Sequence, residues 1–208
     1  MRHDDAAAAE WSNLFYGPQL GPLIPAVYTD VEQPAPLCMD EHHPDHHHQS
    51  PTSKQWQAAM RAAGDGAILC RSREMLATAS ALGNQVYWYF FTATPIYSAN
   101  WPAGSMPYEG AFHGSEVPFV FGDGFELSSG GERSLSAAMG CYWANFASSG
   151  NPNNGPSGCA AHLKLPSWPV LGPTGAAGKG AAIVFSNTSV TVKQGLKAQP
   201  CDLFKKYN

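Results

Sequence analysis

The stretch 110–122, GAFHGSEVPFVFG, sets one imidazole, His113, among small residues, with the carboxylate of Glu116 three positions on. A neutral imidazole takes a proton from a hydroxyl and returns it to a leaving group. Its ordinary pKa of about 6.5 suits that work at neutral pH. Gly114 beside it supplies backbone freedom for a turn. Such a base also needs an orienting carboxylate to fix its tautomer. Nearness in sequence does not make Glu116 that group, because a residue three positions on in a loop can equally bond backbone amides and stiffen the turn. The apolar run Val117 to Phe121 is read as packing that fixes the loop.

Other reactive residue types are scattered. Five of the eight histidines, His42, His43, His46, His47 and His48, lie in EHHPDHHHQSPTS, a low-complexity insertion around 41–54. A histidine tract can hold a metal. Its prolines and polar neighbours point instead to a solvated loop without fixed geometry, so neither a metal nor a cofactor is expected. The five cysteines, Cys38, Cys70, Cys141, Cys159 and Cys201, match no zinc spacing. Pairing leaves one over, and sequence alone does not fix the connectivity. Cys141 and Cys159 flank the end of one helix and its loop, where a bridge and two free thiols are both open readings. Asn187-Thr188-Ser189 is a sequon, a candidate glycosylation site that matters only in a secreted chain.

The elements that must position these groups follow from periodicity. Residues 1–36 read as short helical pieces and loops. Residues 55–82 read as helix on both sides of Gly64-Asp65-Gly66, with a stop at Gly83-Asn84. The aromatic run 86–91, VYWYFF, reads as a strand buried on both faces and ended by Pro95. Residues 95–109 read as loop. Residues 132–149 place Leu135, Met139, Tyr142, Trp143 and Phe146 on one helical stripe that stops at Gly150. Strands are expected at 181–185 and 190–192 around a turn at Ser186-Asn187, then a short terminal segment at 201–204. This is an α/β order. In such folds catalytic groups sit on loops beyond the carboxyl ends of strands. His113, about twenty residues past the aromatic strand, fits that edge.

The composition sets bounds on partners. A chain of 208 residues, 44% hydrophobic and 13% charged, can bury a sizeable core. A net charge of -4 leaves no basic footprint for nucleic acid or anionic lipid. No apolar run approaches the roughly 20 residues of a membrane span. MRHDDAAAAEW carries no apolar core of a signal peptide.

Taken in order, GAFHGSEVPFVFG, MGCYWANFASSGNPN and Trp168-Pro169 resemble the C-terminal part of the type B carboxylesterases, the family that includes the cholinesterases. GDGAILCRSREMLA followed by VYWYFF resembles the helix and strand before that family's histidine loop. PCDLFKKY looks like its last cysteine segment. The likeness runs from about residue 60 to the C-terminus, is weak over 1–36 and absent in the histidine tract. It implies an α/β-hydrolase fold and a carboxylic-ester hydrolase with a Ser-Asp/Glu-His triad and a small-molecule ester as substrate. By the same resemblance His113 is the catalytic histidine and Glu116 a supporting glutamate behind it. Cys70 and Cys201 are a disulfide pair, which implies an oxidising, secretory compartment.

The pattern departs from the family at two points. Such hydrolases order their triad Ser, Asp/Glu, His, with the serine in a G-x-S-x-G elbow. Neither that elbow nor an HGGG-type oxyanion motif occurs in this sequence. The acid is expected at about the distance from His113 back to His3-Asp4-Asp5-Ala6, which makes Asp5 its candidate although the glycine of the family's motif is missing. The chain is therefore expected to be the C-terminal part of one hydrolase domain, with an incomplete sheet and no triad-dependent activity alone. The alternative is a non-catalytic adhesion relative of the same family, a role that would not need His113.

Overall fold

The computed structural model describes residues 5–28, 54–95, 111–123, 127, 129–172 and 180–207. The histidine tract, Cys38 and residues 96–110, which cover most of the expected loop, lie outside them. Helix α1 (Asp5–Leu20) leads through a 3-10 turn (Gly21–Leu23) into the short α2 (Ile24–Val27). Helix α3 (Lys54–Gly64) runs through a π-helical turn (Asp65–Leu69) into α4 (Cys70–Ala81) without a break. The strand β1 (Tyr89–Phe91) precedes the short α5 (Val117–Phe121) and the long α6 (Gly130–Ser149). Then come α7 (Cys159–His162), β2 (Ala181–Phe185), β3 (Val190–Gln194) and α8 (Ala198–Tyr207).

The start of the chain is more helical than its sequence suggests. The alanine run before Trp11 carries the highest intrinsic helix propensity. Ala8 and Ser12, one turn apart, are buried. Only at Gly17, with φ +77°, does the backbone kink, just before Pro18. The Gly-Pro pair thus divides a long first helical piece from a short second one. Within α3–α4 the Gly64-Asp65-Gly66 segment bulges instead of breaking, because the π-helical turn keeps the backbone hydrogen-bonded.

The sheet is three-stranded and mixed, in the order β1-β2-β3. β1 runs parallel to β2, with Tyr89 opposite Ile183, and β3 pairs antiparallel with β2. β2 is buried along its whole length. The aromatic run forms a shorter ladder than expected, three residues, preceded by an isolated bridge from Tyr87 to Val170. Its ladder residues are half-buried rather than buried, and their side chains alternate between two clusters with the period of a strand. Tyr87, Tyr89 and Phe91 face a cluster built with Phe119, Leu135, Met139, Tyr142, Trp168 and Phe185. Val86, Trp88 and Phe90 face the opposite cluster, with Leu171, Val184 and Leu196. A third cluster gathers α1, α2, α3 and α8 around Cys70–Cys201.

Helix α6 is the largest support beneath the first cluster. Ser129 caps it: its hydroxyl accepts from the Glu132 N–H, and the Glu132 carboxylate accepts from the Ser129 N–H at 3.0 Å. Leu135, Met139 and Tyr142 follow at helical spacing and are buried. Gly150, with φ +73°, ends the helix by donating its N–H to the Phe146 carbonyl at 2.8 Å.

Candidate active site

The histidine turn is built from its flanks. Gly114 takes φ +86°, and a Cβ there would meet nothing within 4 Å. The position calls for glycine because of its backbone angle, not because space is short. Ser115 N–H closes the turn onto the Phe112 carbonyl at 3.0 Å, and Val117 N–H bonds the Gly114 carbonyl at 3.1 Å. The residues after the turn enter α5 with Pro118 in its first turn, where the missing N–H costs nothing. Phe119 is fully buried against Phe91, ring centroids 5.3 Å apart. Ser136 on α6 donates to the Phe119 carbonyl at 2.8 Å, which ties α5 to the helix beneath it. His113 itself stands exposed at the corner.

Glu116 braces this turn from behind. The Tyr89 hydroxyl on β1 donates to Glu116 Oε1 at 3.4 Å. Burial first, then the charge of Glu116 and this hydrogen bond, push the Tyr89 phenol up to about 12. The Glu116 carbonyl accepts from the Phe119 and Val120 amides, so its backbone starts α5 while its side chain reaches the sheet. Ser115, next to the histidine, is fully buried, and its hydroxyl has no partner among the described residues. Its type and position gave no hint of that burial in the sequence.

Asp5 opens α1, and α1 packs on α3 and α8 in the disulfide cluster, whereas the histidine turn sits over the sheet face that α6 covers. A cavity of about 320 Å³ bounded by Phe90, Thr92, Asn187 and Lys193 lies on the other side of the sheet. Among the described residues there is no His, Cys, Asp and Glu cluster able to hold a metal ion, and no helix long and apolar enough to cross a membrane.

The motifs downstream of the histidine meet in space. Asn153 of the GNPN turn holds Trp168 by both edges of its amide: Oδ1 accepts from the Trp168 N–H at 2.6 Å and Nδ2 donates to the Trp168 carbonyl at 2.9 Å. Trp168 in turn donates Nε1–H to the Trp88 carbonyl at 3.1 Å. Cys141 on α6 bonds Cys159 on α7, so the pairing that spacing left open is formed. Cys70 bonds Cys201 across 131 residues of sequence, the pair that the resemblance implied.

The carboxylesterase family model matches residues 25–204. The chain belongs to that family. The match starts further toward the N-terminus than the motif likeness from about residue 60, and takes in the histidine tract. Bovine carboxylesterase 4A is 49% identical over 63 residues, 29% of this chain and 10% of the bovine protein. Acetylcholinesterase 1 of Caenorhabditis briggsae is 32% identical over 112 residues, 51% of this chain and 17% of that protein. Rat acylcarnitine hydrolase is 42% identical over 90 residues, 41% of this chain and 14% of the rat protein. The matched segments thus span less than a fifth of each relative's own length.

A buried ionic group that sequence reading passed over lies beside the disulfide cluster. The Lys197 ammonium pairs with the Asp65 carboxylate at 3.1 Å, both side chains being 7% exposed. The Tyr28 hydroxyl donates to Asp65 Oδ2 at 2.8 Å. Lys197 also lies 5.5 Å from the ring centroids of Tyr28 and Phe90. Burial and the Asp65 charge raise the Tyr28 phenol far above its ordinary value. Burial, with Asp65 second, pushes the Tyr16 phenol up to about 12. Asp65 and Lys197 stand far apart in sequence, and no local spacing marks them as partners.

Proposed function

We propose that this chain carries the histidine of a carboxylic-ester hydrolase, with His113 as the proton shuttle. Membership of the carboxylesterase family supports the reaction class. The observation that carries the assignment to His113 is the turn itself: an exposed imidazole on a backbone fixed by Gly114, Phe119 and the Glu116–Tyr89 brace. In the cycle, the imidazole takes the proton of a serine hydroxyl as that oxygen bonds the ester carbonyl carbon. It then delivers the proton to the departing alkoxide, and in the second half it activates water in the same way. Glu116 acts by holding the turn, and Asp5 is the candidate acid that would orient the imidazolium.

This reading sets the nucleophile outside this sequence, in which no G-x-S-x-G elbow occurs. On this reading the chain forms the C-terminal part of an α/β-hydrolase domain, and its sheet is completed by strands from elsewhere. Removing the serine from such a unit costs on the order of a millionfold in turnover. The purified chain is therefore expected to show no hydrolysis of a p-nitrophenyl ester above its His113→Ala variant. Hydrolysis by the chain that His113→Ala abolishes would refute the assignment of the serine elsewhere. The two disulfides fit an oxidising compartment such as the secretory lumen. The substrate is a small-molecule ester.

A further inference from the structure

The asparagine of the sequon repeats the device that holds Trp168. Backbone pairing between β1 and β2 continues past the ladder to Thr92, whose N–H donates to the Phe185 carbonyl at 2.8 Å. Two residues further on, β2 has turned into the Ser186–Ser189 corner and offers Thr94 no main chain. The Asn187 side chain takes its place. Thr94 N–H donates to Asn187 Oδ1 at 2.8 Å, and Asn187 Nδ2 donates to the Thr94 carbonyl at 2.6 Å. A primary amide presents an acceptor and a donor along one edge, so Asn187 acts as a one-residue strand that extends the sheet.

The geometry of that edge has a chemical consequence. The hydrogen that Nδ2 offers beside Oδ1 lies on the same side of the C–N bond as Oδ1. An N-linked sugar keeps the amide trans, so its first carbon occupies that same position. The remaining N–H then points the other way and cannot reach the Thr94 carbonyl. The sugar carbon and the Thr94 carbonyl oxygen would compete for one place, where the present contact is 2.6 Å.

We propose that Asn187 is a sheet clamp, and that glycan attachment at its sequon and this clamp exclude one another. Asn187 is an acceptor only while the end of β1 is unpaired. Once Thr94 is seated, the sequon is closed, although it lies at an exposed turn. A chain glycosylated before pairing folds with Thr94 released.

The test uses the full chain, secreted from eukaryotic cells behind a cleavable leader. Occupancy of Asn187 is read by mass spectrometry, and protection of the Thr94 amide by hydrogen exchange. Thr94→Pro removes one arm of the clamp and is expected to raise occupancy above the parent. Occupancy equal in the two chains, whether high or nil, overturns the proposal. Asn187→Ala needs no glycan, and is expected to speed exchange at Thr94 by roughly tenfold. Unchanged exchange there overturns the clamp. Where a glycosylated fraction forms, its Thr94 amide is expected to exchange as fast as in Asn187→Ala. A glycosylated fraction that protects Thr94 as well as the unmodified chain refutes the exclusion.

Discussion

Two polar regions of this molecule use ionisable groups in opposite ways. Around Cys70–Cys201, Asp65, Lys197 and Tyr28 are buried and satisfy one another. At the other sheet face, His113 is exposed on a turn whose neighbours are fixed. The first arrangement spends its charges on internal partners and leaves none for a substrate. The second holds the backbone and leaves the imidazole open. Burial with a matched partner marks structure here, and the proposed chemistry rests on a group left exposed on a rigid support.

The largest expected effect comes from the stapled region. Loop entropy over a 131-residue separation gives the Cys70–Cys201 bridge about 5 kcal/mol, against about 3 kcal/mol for Cys141–Cys159 over 18. Replacing both cysteines of each pair by alanine should lower stability in that order, as read by urea unfolding. Equal losses would show that the first bridge does not close the unfolded chain as its long loop requires.

Next comes the buried pair itself. Asp65→Ala strands the Lys197 charge inside, which is expected to cost about 3–5 kcal/mol. Asp65→Leu combined with Lys197→Met removes both charges and should cost less than the single change. A double variant as damaged as the single one would mean that the site matters through shape and not through charge.

Alkaline pH separates the regions more gently. Tyr16 lies by the disulfide cluster and Tyr89 behind the histidine turn, and each phenol is raised from 10.0 to about 12. The unfolded chain loses these protons first, so the stability they contribute is intact below about pH 10 and falls as pH rises toward 12. Glu116→Gln should lower the Tyr89 ionisation only in part, because burial outweighs the glutamate charge. Tyrosinate absorbance followed through that range reads this directly. A return to the ordinary value in Glu116→Gln would show that the brace, not burial, sets it. The smallest stability effect is expected at the histidine: His113→Ala should shift unfolding by no more than about 0.5 kcal/mol.

The sequence showed much of the frame and less of what joins it. Leu135, Met139 and Tyr142 announced α6 by their spacing, and Gly150 its end. VYWYFF announced a strand covered on both faces, because large residues at consecutive positions must fill both. Family likeness, and not spacing, picked out His113 and Cys70–Cys201. The turn that presents His113 could be expected from Gly114. Position at a helix end and its loop left the Cys141–Cys159 bridge as one of two open readings, and it is formed. The rest depended on contacts that no local pattern encodes: Asp65 with Lys197, and the paired amide clamps of Asn153 and Asn187. Helical pieces were expected at the start of the chain, but not the length of the one before the Gly17 kink. The tertiary surroundings that bury the Ser115 hydroxyl leave no mark on its neighbours in the chain.

The most direct test places this chain's histidine segment in a complete relative. The matching segment of bovine carboxylesterase 4A is exchanged for that of this chain, and ester hydrolysis is measured with His113 and with His113→Ala. The account predicts an active splice that loses activity on the order of a millionfold on substitution, with an unchanged melting temperature. A folded splice that hydrolyses ester equally well with alanine at 113 would contradict it.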